Sequence, residues 1–120
     1  MAKSLLIVTR QAPWSGLSAR EALDIALAGG AFDLPIGMLF LDDGVFQLSS
    51  RQDASQLQQK DLIANLQALA MFGVEDVYAC GISLGERGIF PHELNVEPLT
   101  LVYDKELSAL MDRYDQVITI

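Results

Sequence analysis

The chain has 120 residues, with 8 basic and 16 acidic side chains, and carries a net charge of −8 at neutral pH. A chain this acidic gains nothing from the phosphate electrostatics that dominate nucleic-acid affinity, so its composition argues against direct binding to RNA or DNA. Hydrophobic residues make up 51% of the chain, a high share for one small domain, which favours a surface that meets other subunits.

Cysteine content and apolar run lengths indicate the cellular compartment. The single cysteine excludes an internal disulfide. The start, MAKSLLIVTR, has too short an apolar run for a signal peptide and lacks a small-residue cleavage site. No run reaches the ~18 apolar residues of a membrane span. We therefore expect a single domain over residues 1–120, located in a reducing cytoplasm and not associated with a membrane.

Apolar runs and helical patterns alternate in the first part of the chain. Residues 4–9, SLLIVT, form a continuous, partly β-branched run that is typical of a strand covered on both faces. A capping box at residues 18–21 predicts a helix start, and Gly29-Gly30 predicts its end. Residues 35–41, PIGMLFL, predict a second strand, which Asp42-Asp43-Gly44 should interrupt.

The same alternation continues to the end of the chain. Residues 53–72 have an uninterrupted helical pattern with Gly73 as a stop, and residues 76–80, DVYAC, predict the third strand. A fourth strand is expected within residues 94–102, where Pro98 demands a sheet edge, a bulge or an early end.

A last helix and strand complete the predicted fold. Asp104 can cap the helix, and residues 116–120, QVITI, predict a terminal strand. The alternation indicates an α/β domain, a three-layer α/β/α sandwich around a mostly parallel five-stranded sheet. The strand order does not follow from periodicity. A flavodoxin-like order is the general expectation, and other orders stay open.

Candidate functional residues follow the predicted strands. Ligands of open α/β sheets bind beyond the carboxyl ends of the strands, where loops and helix starts gather. Arg10 and Trp14 follow the first strand, Asp42 and Asp43 follow the second, and Cys80 ends the third. We therefore expect these side chains to share one edge of the sheet, with the sulfur atom of Cys80 emerging there.

Cys80 has two interpretations. Residues 83–86 have capping-box spacing, so Cys80 should lie three residues before the N-cap Ser83, close to the positive end of a short helix. Together with Arg87, that field would favour the thiolate that sulfur transfer, redox chemistry or metal binding requires. The alternative is a small packing residue, because free cysteine is among the residue types most often buried.

The other candidates also have structural alternatives. Asp42 and Asp43 could form a metal-binding or acid–base pair, but adjacent side chains at a strand end usually diverge, and Asp before Gly is ordinary turn chemistry. Cys80 and His92 match no ligand spacing for zinc or haem, so we expect no metal and no cofactor. Trp14 is better explained as an interface or loop-packing aromatic than as a platform for nucleic-acid bases.

Two strand-end segments resemble a known family. Residues 42–48, DDGVFQL, contain a DGVFQL signature, and residues 80–88, CGISLGERG, follow the pattern Cys-x-x-Ser-Leu-x-Glu-Arg-Gly. The ending at residues 114–118, YDQVI, is similar too. The chain thus resembles the DsrE/DsrF-like sulfur-relay family over essentially its whole length, and most closely the TusC (DsrF) branch.

The resemblance implies membership of a cytoplasmic complex of TusB-like, TusC-like and TusD-like subunits, arranged as a dimer of heterotrimers. Such a complex passes persulfide sulfur toward 2-thiolation of the tRNA wobble uridine. The sulfur carrier in that relay is a cysteine of the TusD-like subunit. This chain would therefore serve mainly in assembly. Cys80 would be an auxiliary acceptor at most, with Ser83, Arg87, Asp42 and Asp43 supporting the edge of the site.

Assembly requires an interface, for which Val45, Phe46, Leu48 and Trp14 are candidates. Alternatively, the three residues after the Asp-Gly turn cover the edge of the sheet internally. Purified alone, such a subunit should form homo-oligomers or aggregate. Two other functions stay open: a stand-alone sulfurtransferase with Cys80 as the sulfur acceptor, and a small-ligand binding domain, for which the sequence offers no polar constellation.

Overall fold

A computed structural model describes residues 4–12, 18–31, 35–48, 66–74, 76–90, 94 and 99–120. Trp14, His92 and Pro98 lie outside these residues, as does most of the helix predicted over residues 53–72. The predictions that concern them therefore stay predictions.

A parallel sheet forms the centre of the molecule. Its strands are β1 (Leu5–Thr9), β2 (Ile36–Phe40), β3 (Asp76–Cys80), β4 (Thr100–Val102) and β5 (Gln116–Thr119). They lie in the order β4-β3-β2-β1-β5, and each strand is parallel to its neighbours. The predicted five-stranded, mostly parallel α/β sheet is confirmed, but its order differs from the flavodoxin-like one.

Helices of two kinds connect the strands. The α-helices whose bounds both lie within the described residues are α1 (Ser18–Ala31), α2 (Gly81–Glu86) and α3 (Asp104–Asp112). Two further segments form 3₁₀ helices, Asp42–Leu48 and Leu69–Phe72, here called the 42–48 helix and the 69–72 helix. None of the helices formed by the described residues has the length and apolarity needed to span a bilayer.

Successive side chains of a strand point to opposite sides, so each strand contributes to both faces of the sheet. Helices cover both of these faces. One face packs against α1 in a cluster that includes Ile7, Met38, Phe40, Ala22, Leu23 and Ala26. The other face packs against α3 in a cluster formed by Leu6, Val8, Leu39, Val102 and Leu110. This arrangement of helix, sheet and helix is the three-layer sandwich expected from the sequence.

The end of α1 differs from the prediction. Gly29 and Gly30 lie inside the helix, which continues to Ala31. A Cβ atom on Gly30 would overlap the carbonyl oxygen of Phe72, at the end of the 69–72 helix. Gly30 therefore allows two helices to approach closely, and this tertiary contact outweighs the low helix propensity of glycine.

Two other predicted elements have different limits in the structure. The helical pattern expected to run through residue 72 ends in 3₁₀ geometry, and Gly73 follows with a positive φ of 91°. Strand β4 covers three residues of the predicted 94–102 region. Both differences concern element ends, where local patterns carry little information.

Candidate functional site

Three neighbouring strands deliver polar side chains to one edge of the sheet. Because β1, β2 and β3 are parallel neighbours, their carboxyl ends lie side by side. Arg10 follows β1, Asp42 and Asp43 begin the 42–48 helix after β2, and Cys80 is the last residue of β3. The structure thus places these candidates at the shared edge that the sequence predicts.

Two ion pairs hold this edge together. The Nε of Arg10 donates to Oδ2 of Asp42 at 2.7 Å, and the Nε of Arg87 in the turn after α2 donates to Oδ1 of Asp43 at 2.9 Å. The two carboxylates therefore bond to different arginines, one from each neighbouring strand connection. They form no shared pair for acid–base chemistry, and no group of metal-ligating side chains occurs among the described residues.

Ser83 joins α2 to the end of β2. Its buried hydroxyl accepts a hydrogen bond from the backbone N–H of Asp42 at 3.0 Å. Its backbone carbonyl accepts from Nη1 of Arg87 at 3.2 Å. Ser83 is inside α2 and does not cap it, so the predicted N-cap at this position is wrong. Its role in the structure is to connect two segments of the edge.

Cys80 itself is the N-cap of α2, which begins directly after it. Its Sγ accepts a hydrogen bond from the backbone N–H of Ser83 at 3.4 Å. The residue is only 3% exposed. Cys80 therefore stands at the expected edge, but its sulfur does not emerge there. It satisfies one of the free N–H groups at the helix start and packs inside the chain.

The 42–48 helix turns its apolar side chains inward. Val45 and Leu48 are completely buried in the main core cluster, and the half-buried Phe46 packs against that cluster. Their contacts lie within the chain itself, which corrects the assignment of Val45 and Leu48 to a subunit interface. Of these three side chains, only Phe46 retains exposed surface.

Two residues of this segment were missed as site residues. The buried Gln47 donates from Nε2 to Oγ1 of Thr9 and to the carbonyl oxygen of Gln11, both at 2.9 Å. A Cβ atom on Gly44 would overlap the carbonyl oxygen of Thr9. Gln47 therefore bonds the 42–48 helix to the end of β1, and Gly44 allows the two segments to approach closely. The only available signal was their place in the DGVFQL segment.

Several large apolar side chains are exposed on the described part of the chain, and Tyr103 is one that lies beside this edge. The ring of Tyr103 lies against Gly81, where a Cβ atom would overlap it. Among the described residues, the exposed large apolar side chains are Ile25, Met71, Phe72, Ile82, Phe90, Tyr103 and Val117. Such side chains on a small acidic domain are suited to contact another protein.

One ionisable group with a perturbed pKa lies on the α3 face of the sheet. Burial raises the pKa of Tyr114 well above its usual range, and a side-chain hydrogen bond with Tyr78 raises it further. The Tyr114 hydroxyl also sits over Gly37 of β2, where a Cβ atom would overlap it. Tyr114 thus fastens the end of the last helix to the sheet.

Comparisons with known proteins place this geometry in context. The model of the DsrE/DsrF-like family matches residues 3–120. The chain is 62% identical to the "Protein TusC homolog" of Pseudomonas aeruginosa over 120 residues, which is 100% of both chains. It is 36% identical to the "Intracellular sulfur oxidation protein DsrF" of Allochromatium vinosum over 92 residues, 77% of this chain and 68% of that protein.

Structural similarity extends over the same length. The crystal structure of the Escherichia coli ychN protein superposes with a TM-score of 0.74 and covers 100% of both chains at 21% identity. At this level of identity the match concerns the fold alone. The three-layer arrangement is therefore shared with a solved structure.

Proposed function

Because the chain belongs to the DsrE/DsrF-like family, we propose that it is a subunit of a sulfur-relay complex and that it serves in assembly rather than as the sulfur carrier. Its partners are TusB-like and TusD-like subunits in a cytoplasmic dimer of heterotrimers. The complex passes persulfide sulfur toward 2-thiolation of the tRNA wobble uridine.

The observation that carries the assembly role is the use of Cys80 inside the chain. A sulfur carrier must bring a reactive thiolate into contact with donor and acceptor molecules. Cys80 is buried, and its sulfur accepts a helix-capping hydrogen bond from Ser83. An incoming persulfide would have to displace that bond and open the edge. This arrangement suits a structural cysteine.

Surface composition supports contact with other proteins. Tyr103 and Ile82 are exposed next to Gly81 at the carboxyl edge, and Phe90 is exposed after α2. At the same time, the arginines of this edge are paired with Asp42 and Asp43. An acidic chain with neutralised arginines gives no electrostatic basis for tRNA contact, which is therefore assigned to another component of the relay.

Co-expression tests the assembly role. The chain produced with TusB-like and TusD-like subunits should elute as one particle that contains all three in equal amounts, and light scattering should give the mass of a dimer of heterotrimers. Omitting this chain should dissociate the other two or reduce their yield. A chain that stays unbound while the other two assemble without it would overturn the proposal.

The alternative is a stand-alone sulfurtransferase, and the position of Cys80 at the meeting point of three strand ends favours it. In that reaction the Cys80 thiolate attacks the outer sulfur of a donor persulfide. The donor S–S bond breaks, the donor leaves as a thiolate, and Cys80 becomes the persulfide, with no net oxidation.

Intact mass measurement separates the two functions. After incubation with a small-molecule persulfide, an assembly subunit should keep its original mass. A carrier should gain one sulfur atom, lose it on thiol reduction, and fail to gain it as the Cys80→Ser variant. A reversible adduct on Cys80 at high yield would refute the structural assignment of this cysteine.

A further inference from the structure

Among the described strands, the last strand of the sheet is paired on one side only. β5 pairs with β1 on one side, and it is the terminal strand in the order of the sheet. No strand formed by the described residues lies on its other side. An edge strand of this kind presents backbone donors and acceptors that can pair with another chain.

The residues that carry these outward groups can be identified. The N–H of Gln116 donates to Ser4, and the N–H of Ile120 donates to Val8, so the even-numbered residues bond toward β1. Backbone groups alternate in direction along a strand. The N–H and C=O groups of Val117 and Thr119 consequently point away from the sheet.

The residues of β5 carry none of the sequence features that usually block strand pairing. Residues 116–120, QVITI, contain no charged residue, no proline and no glycine, although the whole chain carries a net charge of −8. Asp115, just before the strand, accepts bonds from the backbone and hydroxyl of Ser4. The strand at the opposite edge, β4, is only three residues long, and so short a strand offers few backbone groups for pairing.

We propose that β5 pairs antiparallel with β5 of a second copy of this chain, which joins the two sheets into one. The paired residues 116–120 carry no charged side chain, so the pairing places no two like-charged side chains opposite each other. A two-fold axis at Ile118 puts Val117 opposite Thr119 of the second copy. The outward backbone groups of these two residues then bond to each other, and the interface is self-complementary.

This pairing goes beyond the proposed function and does not depend on it. It uses the lateral edge of the sheet, whereas the exposed Tyr103 and Ile82 lie at its carboxyl edge. A homodimer can therefore be absent from a chain that still assembles with TusB-like and TusD-like subunits. Equally, a homodimer can form in a chain that does not.

Sedimentation of the purified chain tests the pairing. The native protein should show a concentration-dependent dimer, and Thr119→Pro should raise its dissociation constant at least tenfold, because proline removes an outward N–H without removing a bond to β1. Val117→Lys should act similarly by placing a charge on the edge. Met71→Lys, a matched change at a side chain that is 88% exposed, should leave the constant unchanged.

Disulfide cross-linking tests the register. Ile118→Cys should cross-link to its own copy, since residues opposite each other in a non-hydrogen-bonded pair lie about 4.5 Å apart at Cα, within the span of a disulfide. Val117→Cys alone should not cross-link, because Val117 of the second copy lies diagonally across the strand pair and not directly opposite. A mixture of Val117→Cys and Thr119→Cys chains should cross-link. The native chain, in which Cys80 is buried, is the control and should show no cross-link.

The outcomes decide the proposal in either direction. A dimer weakened by both edge variants, with circular dichroism unchanged and Ile118→Cys cross-linked, supports it. A chain that stays monomeric at all concentrations overturns it, as does a dimer indifferent to Thr119→Pro and Val117→Lys. Edge variants that release TusB-like or TusD-like subunits from an otherwise monomeric chain would give the edge a different occupant and would also overturn it.

Discussion

At the scale of single residues, Gln47 is a polar side chain that connects the largely apolar 42–48 helix to the end of β1. It is fully buried, and its amide donates to Thr9 and to Gln11. A buried amide is stabilising only when its hydrogen bonds are formed, and losing them leaves neighbouring polar atoms without a partner. Gln47 therefore adds to the contacts that hold the 42–48 helix against β1, beside the Arg10–Asp42 ion pair.

Replacing Gln47 by methionine, which has a similar shape, should lower the free energy of unfolding by about 1–3 kcal/mol. Urea denaturation measures the change. The exposed Gln116 provides a matched control, and Gln116→Met should alter the stability by less than about 0.5 kcal/mol. Equal effects of the two substitutions would refute the role given to Gln47.

Two glycines in α2 predict opposite responses to the same substitution. A Cβ atom on Gly85 meets open space, so Gly85→Ala should stabilise the helix by about 0.5–1 kcal/mol. A Cβ atom on Gly81 overlaps the ring of Tyr103, so Gly81→Ala should be less stable than Gly85→Ala by about 1–3 kcal/mol. Thermal or urea unfolding would measure both.

The Gly81 prediction has an internal check. In a Tyr103→Ala background the obstructing ring is gone, so the difference between Gly81→Ala and Gly85→Ala should largely disappear. A difference that persists without the ring would mean that the backbone at Gly81 is the cause and that the contact with Tyr103 is not.

The residue scale also shows why the site was only partly predictable. Arg10, Asp42, Asp43 and Cys80 reach one edge because the ends of parallel strands must do so, and that inference needs only the strand pattern. The capping role of Cys80 was missed because capping is expected from hydroxyl and carboxylate groups, not from sulfur. Burial of the thiol depends on distant segments, which a local pattern does not contain.

At the scale of elements, the contact between α3 and the sheet includes an ionisable link. Tyr114 follows α3 and bonds to Tyr78 on β3. Burial and this bond raise the pKa of Tyr114, so the folded chain keeps a proton that an unfolded tyrosine releases near pH ~10. The resulting stability is fully present below that pH and is lost as the pH rises above it.

Alkaline unfolding measures this link. The free energy of unfolding should fall as the pH rises beyond about 10, and Tyr114→Phe should reduce the fall, because phenylalanine has no proton to lose. Tyr103→Phe is the control, since the Tyr103 side chain is exposed. If both variants follow the native curve, Tyr114 does not contribute to the alkaline loss.

Element boundaries were predictable wherever composition changes abruptly. The third strand, at residues 76–80, has the limits that the sequence gives, because it lies between a turn and a helix start. The end of α1 was not predictable, because Gly30 packs closely against Phe72, which lies far along the chain. The 42–48 helix was expected only as a break, because its bonds to β1 are tertiary.

At the scale of the whole molecule, charge predicts what the chain does not bind. The net charge is −8, and Arg10 and Arg87 at the carboxyl edge are both paired with carboxylates. The isolated chain should therefore not shift tRNA in a native gel at about 50 mM salt, a condition that favours electrostatic binding. A shift with a micromolar dissociation constant would contradict this prediction and would assign direct tRNA contact to this subunit.

The order of the strands was the part of the fold that the sequence could not provide. Each strand is recognisable from its own residues, but its neighbours are chosen by contacts between distant segments, such as that of Ser4 with Asp115. The three-layer architecture follows from the alternation of elements, whereas the position of β5 beside β1 does not.

That position has a consequence for synthesis on the ribosome. β1 is made early, but the strand that covers its flank is made late, since Ser4 and Asp115 are 111 positions apart. A growing polypeptide therefore carries an apolar strand with an open side until residues 116–119 have left the exit tunnel. We expect the yield of folded protein to depend more on chaperone binding during translation for this topology than for one in which consecutive strands pair as they emerge.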